Sequence, residues 1–245
     1  RTATDQALRL GAKDHAHPEV RRRLDAVKRL VVEDVAAQRD LPEVLATSAW
    51  ELGTTAAGPQ RVIVFVTRRQ EAQQVAALLE ERAHPGSKGK QPPEAERVAE
   101  VELLVGGRRV RDRAQAAQRF SDLGFLATGT TVVQRATFLV ATSAGEVGID
   151  LDADHMVCDI VAWDRMIQRL GRVNRRGKGA AEVRVFARSP DAKASDEVLA
   201  SFRAQRDALA QLEALENAGP GTTTRDGPRS NPGCAAGPTR THSAG

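Results

Sequence analysis

The segment Arg61-VIVFV-Thr67 is an unbroken apolar, β-branched run, and amphipathic sequence follows it at once. A run of this kind suits a strand buried on both faces, which means a parallel sheet covered by helices. The alternation then repeats. Gln70 to Ala83 places Val75, Leu78 and Leu79 at helical spacing, Val101-ELLV-Gly106 is a second strand, and Val110 to Phe120 is a second helix. Thr137-FLVAT-Ser143 and His155-MVCDI are the third and fourth strands, Asp164 to Asn174 is a third helix, and Ala181-EVRVF-Ala187 is a fifth strand. Buried strands separated by amphipathic helices predict an α/β fold, a mostly parallel sheet flanked by helices.

The flanks read differently. Residues 1–33 are charged and end in the short run Leu30, Val31, Val32, which suggests a connector. Leu41 to Leu52 suits a lead-in helix packing through Val44, Leu45 and Trp50. Ala194 to Asn217 has Val198, Leu199, Phe202, Leu209, Leu212 and Leu215 at helical spacing. Residues 218–245 contain no Leu, Ile, Val, Met or aromatic residue, so they have nothing to bury and read as a disordered tail. The expected division is 1–60 connector and lead-in helix, 61–190 α/β domain, 191–217 accessory helix and 218–245 tail. Pro85 to Glu96 is a Gly/Pro/Lys loop. The chain begins at Arg1 rather than Met, and reads as a piece of a longer protein.

Composition narrows the function. No apolar stretch approaches the 18 residues of a membrane span, and no signal-peptide core opens the chain. Two distant cysteines, Cys158 and Cys234, cannot make a disulfide framework or a Cys-rich zinc site, so a reducing cytoplasm is expected. No metal site is expected either. None of the five histidines precedes an Asp, and Asp14-His15-Ala16-His17, beside Pro18, reads as a surface loop. The net charge is +4, and 30 of the 36 cations are arginine, whose planar fork binds phosphate bidentately. Phosphate or nucleic acid is the partner class this favours.

Two segments carry the chemistry. After the third strand comes Ala141-TSAGEVGID-Leu151, where Thr142 and Ser143 bring hydroxyls to a strand end and Glu146 and Asp150 bring carboxylates. Ligands of open α/β sheets bind beyond the carboxyl ends of the strands. The second segment is Gln168-RLGRVNR-Arg176. Drawn as a helix, it sets Gln168, Arg172 and Arg175 on one face and Met166, Leu170 and Val173 on the opposite one. The apolar face could hold the helix rigid while two guanidiniums project, as phosphoryl transfer uses them. Arg165 and Arg169 fall on a neighbouring flank and are expected to be bystanders whose replacement barely changes stability.

In this order the two segments resemble the last two motifs of superfamily 2 helicases. Gln168, Gly171, Arg172 and Arg175 match that family's Gln-x-x-Gly-Arg-x-x-Arg motif. The strand ending at Thr67 is similar to its fourth motif, and Val105-GGRRVRDR with Phe120 to the motif between. Glu146 four residues before Asp150, with Arg-Val-Asn-Arg in the last motif, resembles the helicase–nuclease of type I CRISPR interference. That subfamily commonly has Ser before Leu-Asp, where this chain has Gly148 before Ile-Asp. The resemblance covers 61–188 and implies a RecA-like domain. It further implies that Arg172 and Arg175 act on the γ-phosphate of ATP, and that Gln168, Asp150 and Gly148 serve the nucleotide. Thr67, Gly106, Arg113, Thr142 and Ser143 would hold the backbone of single-stranded DNA. A CRISPR surveillance complex is the further partner the resemblance implies.

The sequence has no Gly-x-x-x-x-Gly-Lys-Ser/Thr phosphate loop and no apolar strand ending in Asp-Glu. ATP and its Mg²⁺ are therefore expected to sit mainly on an N-terminal RecA-like lobe outside this chain. Two other readings stay open: a non-catalytic nucleic-acid-binding lobe using Arg108, Arg109, Arg111 and Arg113, and a degraded or frameshifted helicase gene fragment.

Overall fold

A computed structural model of the chain describes residues 11–36, 40–55, 57–85, 97–106, 110–146, 149–177 and 179–217, with the side chains of 110–115 and 213–217 set aside. The Pro85–Glu96 loop, apart from Pro85, and the 218–245 tail lie outside the described residues, as do Arg108, Arg109 and Gly148.

Six strands form one parallel sheet: β1 (Val27–Val35), β2 (Arg61–Phe65), β3 (Ala99–Leu104), β4 (Ala136–Ala141), β5 (His155–Asp159) and β6 (Ala180–Arg188). Their order across the sheet is β1-β6-β5-β2-β4-β3. The RVIVF run of β2 and the ATFLVA run of β4 are buried at every position, as central strands covered on both faces must be. In register, Val62 to Phe65 face Phe138 to Ala141 on one side and His155 to Cys158 on the other.

Parallel neighbours require crossovers, and helices supply them. α3 (Leu41–Gly53) and α4 (Arg69–Ala83) cover one face, burying Leu45, Ala49, Val75 and Leu79. Trp50 stacks on Phe138 with ring centroids 5.5 Å apart. α5 (Val110–Asp122), α6 (Trp163–Leu170) and α7 (Asp196–Asn217) cover the other, burying Phe120, Met166 and Leu209. Two short helices, α1 (Ala12–Ala16) and α2 (Pro18–Leu24), precede the sheet.

Three local expectations are corrected. The connector read into the first 33 residues contains a strand, because Val27 to Val35 pair residue for residue with Ala180 to Arg188. As an edge strand, β1 buries only Leu30, Val32 and Val35, so its charged positions disguised it. Asp14 and His15 lie in α1 rather than in a loop, and His17 caps α2 by accepting the Glu19 N–H at 3.3 Å. Finally, α6 stops at Leu170 instead of running to Asn174. Gly171 closes the helix, and Asn174 takes a left-handed φ of 46°.

Candidate functional site

The turn after β4 is pressed onto the sheet. A Cβ on Gly145 would lie 2.8 Å from Ala141 Cβ and 3.1 Å from the Phe65 ring, so only glycine lets the chain pass this close. That approach carries Glu146 into the interior, where it is 4% exposed. Its carboxylate accepts hydrogen bonds from Arg165 Nε and Nη2, at 3.0 and 2.8 Å, and from Arg169 Nε at 2.8 Å. Arg169 has no exposed surface. Its Nη1 donates to both the carbonyl oxygen and Oδ1 of Asp159, each at 2.8 Å. The guanidinium lies 5.2 Å from the centroid of the Phe65 ring, and Nη2 makes no hydrogen bond among the described residues. The other oxygen of Asp159 accepts the backbone N–H of Thr67 at 2.8 Å.

Burial opposes charge on Glu146, but hydrogen bonds from Arg165 and Arg169 outweigh it and hold the carboxyl below its usual range. Burial likewise opposes charge on Arg169, yet the carboxylates of Asp159 and Glu146 raise its pKa. The Cys158 thiol is pushed up to about 12 by burial, so it stays neutral beside the cation. The expectation that Arg169 is an exposed bystander is therefore overturned. It is a fully buried ion between two carboxylates.

Arg172 and Arg175 lie beyond the helix, which corrects the expectation that they share a helical face with Gln168. The turn that carries them is tied to the lead-in of β5. Ala153 N–H donates to Arg172 O at 2.9 Å, Asn174 N–H to Ala153 O at 2.8 Å, and Arg175 N–H to Asp152 Oδ1 at 2.8 Å. Asn174 Nδ2 donates to the carbonyls of Val27 and Gly179, both at 3.0 Å. So anchored, both arginines reach one carboxylate. Arg175 Nη1 contacts Asp150 Oδ1, and Arg172 Nη1 stands 3.5 Å from the same atom. Arg172 Nη2 also donates to the carbonyl oxygen of Glu146 at 2.7 Å. Asp150 is 58% exposed, against 14% for Arg172 and 30% for Arg175, so the cluster opens to solvent at the carboxylate. Burial lowers the pKa of both arginines, and Arg23 on α2 adds like-charge repulsion at Arg175.

A third ionic knot holds the foot of the site. Arg61, 8% exposed at the start of β2, donates to Asp154, to Asp152 Oδ2 and to the carbonyls of Gly124 and Asp152. The sequence pattern had marked Arg61 only as a strand terminus.

The remaining candidates line the carboxyl edge of the sheet. Thr67 follows β2, Gly106 follows β3, and Thr142 and Ser143 follow β4; these are the adjacent strands β2-β4-β3. Thr67, Gly106 and Ser143 are exposed. Thr142 is 8% exposed, with its N–H bonded to Leu104 O at 3.1 Å. Gln168 is exposed on α6. Arg113 belongs to α5 with its side chain outside the described residues, as are the side chains of Arg111 and all of Gly148. Sequence reasoning missed Arg169, Asp159 and Arg61. One signal was available: Met166 and Arg169 stand at the i, i+3 spacing that puts both on the buried face of α6.

Residues 59–178 match the family described as CRISPR-associated nuclease/helicase Cas3, C-terminal. No curated protein matches the chain. Among solved structures, T. fusca Cas3 with AMPPNP is 22% identical, with a TM-score of 0.58 over 76% of this chain and 22% of that one. T. fusca Cas3 with ATP is 22% identical, with a TM-score of 0.57 over 82% and 23%. A chain of a CRISPR RNA-guided surveillance complex, pre-nicking, is 23% identical, with a TM-score of 0.52 over 81% and 24%. The chain thus spans less than a quarter of the length of these relatives, and at such identity they share its fold. Over residues 59–178 this all-parallel α/β domain, arginine turn included, is similar to the Cas3-like helicase C-terminal family.

Proposed function

We propose that the chain is the C-terminal RecA-like lobe of an ATP-dependent DNA helicase of type I CRISPR interference. The observation that carries this reading is the convergence of Arg172 and Arg175 on the exposed carboxylate of Asp150, inside a Cas3-like domain. Two guanidiniums anchored by backbone hydrogen bonds suit a polyphosphate, since their positions cost no reorganisation when charge develops on it. Arg172 Nε is buried without a hydrogen-bond partner among the described residues, a donor that an anion at this site would satisfy.

In this reading ATP and Mg²⁺ are held mainly by an N-terminal RecA-like lobe. Arg172 and Arg175 reach across the cleft to the γ-phosphate, and Gln168, Asp150 and Gly148 orient the nucleotide. Thr67, Gly106, Arg113, Thr142 and Ser143 hold the sugar-phosphate backbone of single-stranded DNA, independently of its sequence. Lobe closure on ATP and reopening after hydrolysis move the strand, with a CRISPR surveillance complex delivering the substrate.

A fluorescence-anisotropy titration of this chain with single-stranded oligonucleotides tests the grip. Binding is expected to be weak, indifferent to sequence and steeply weakened by salt, as counterion release requires. An affinity that stays flat in salt contradicts the reading, as does steady ATP hydrolysis by this chain alone.

A further inference from the structure

The buried ionic groups form a continuous path between the two ends of the proposed site. At the strand-end rim, Asp159 Oδ2 accepts the Thr67 N–H at 2.8 Å. Asp159 Oδ1 accepts Arg169 Nη1, and Arg169 Nε donates to Glu146 Oε1, both at 2.8 Å. The carbonyl oxygen of Glu146 accepts Arg172 Nη2 at 2.7 Å, and Arg172 approaches Asp150 beside Arg175. Every link but the last is a short, charge-assisted contact, and such bonds are about twice as strong as neutral ones.

We propose that Arg169, held between Asp159 and Glu146, is a positioning residue that couples the DNA-facing strand ends to the arginine pair. The inference rests on the helicase reading above and assigns that site its internal coupling. Asp159 cannot follow a shift of Thr67 without pulling Arg169, because both of its carboxylate oxygens are engaged. Arg169 cannot yield freely either. It is fully buried and pinned against Phe65, so displacement would leave a cation without its carboxylate partners in a poorly solvating interior. The compliant element is the turn at Glu146, whose carbonyl sets the reach of Arg172. Arg165 steadies that turn from the solvent side, being 32% exposed and bound to the same carboxylate. DNA at the rim thereby biases where Arg172 points.

The test uses the two-lobe helicase that carries this chain, assayed for ATP hydrolysis with and without saturating single-stranded DNA. Asp159→Asn and Glu146→Gln keep shape and weaken the path at two separate links. In each, the ratio of DNA-stimulated to basal kcat is expected to fall about tenfold, while KM for ATP and DNA affinity stay within about twofold. In an Arg172→Ala background, Asp159→Asn should change the ratio no further, as residues acting through one another are non-additive. A purely structural role would instead lower both rates and the melting temperature together with the ratio preserved, and that result overturns the coupling. A normal rate in Arg172→Ala itself refutes the helicase reading, which separates the two failures. A second measurement needs no variant. In the unmodified chain, the Nε–H resonances of Arg169 and Arg172 should shift together as oligonucleotide is added, and a titration that moves only rim residues overturns the proposal.

Discussion

Replacing Arg169 by alanine should cost this fold a large share of its stability. The side chain is fully buried, and among the described residues its loss leaves Glu146, 4% exposed, with Arg165 as its only cation, and Asp159, 8% exposed, with none. Breaking a buried ion pair by removing one partner costs about 3–5 kcal/mol, against about 5–15 kcal/mol for a whole domain. For a domain of this size that corresponds to a melting point lower by about 6–20 °C. Arg165→Ala is the matched control on the same helix: its side chain is 32% exposed and Glu146 retains Arg169. Its loss should stay within about 1 kcal/mol, as a solvent-screened pair does. Urea unfolding followed by circular dichroism, with calorimetry for the melting points, reads both variants. If Arg169→Ala unfolds within 1 kcal/mol of the unmodified chain, the buried ionic centre described here carries no such energy and the reasoning fails.

Acid should unfold the protein in two stages. His155 is lowered by burial and accepts the Glu182 N–H at Nδ1, so its contribution is complete above its ordinary value of 6.5 and fades as pH falls below it. Against the opposing effect of burial, arginine partners hold Glu146 and Asp154 below their ordinary 4.5 and 3.8, so theirs is lost only in more acidic solution. A urea midpoint that does not move between neutral pH and pH 4 would contradict the His155 assignment, and one that falls no further on stronger acidification would contradict those of Glu146 and Asp154. Gly145→Ala should destabilise by about 1–3 kcal/mol, because the new methyl meets Ala141 Cβ and Phe65 at the closest approach of the turn to the sheet. Unchanged stability would show that the turn has room to withdraw.

The fold was largely legible because continuous apolar strands such as RVIVF and ATFLVA announce burial on two faces. The edge strand β1 was not, because VKRLVVEDV mixes buried and charged positions and finds its partner, β6, about 150 residues away. The arginine turn stood out by its motif and was misread as geometry. The motif residues stand where expected in sequence, but Gly171 ends the helix and Asn174 reverses the chain, so tertiary hydrogen bonds to 152–153, not helical periodicity, aim Arg172 and Arg175. Arg169 was hidden for a related reason. A buried cation is specified by its partners, and Glu146 and Asp159 lie 23 and 10 residues away on separate elements.

The central claim is that Arg172 and Arg175 serve a phosphate in transfer rather than a solvated surface. Steady-state ATP hydrolysis by the two-lobe enzyme with Arg172→Ala tests it most directly. A residue that stabilises charge on the transferring phosphoryl group should lower kcat by about 10³-fold or more when removed, with a far smaller effect on nucleotide affinity. Arg172→Lys should rescue poorly, since an ammonium keeps the charge but loses the fork that spans Glu146 O and Asp150. An Arg172→Ala enzyme that hydrolyses ATP at the unmodified rate would contradict the account.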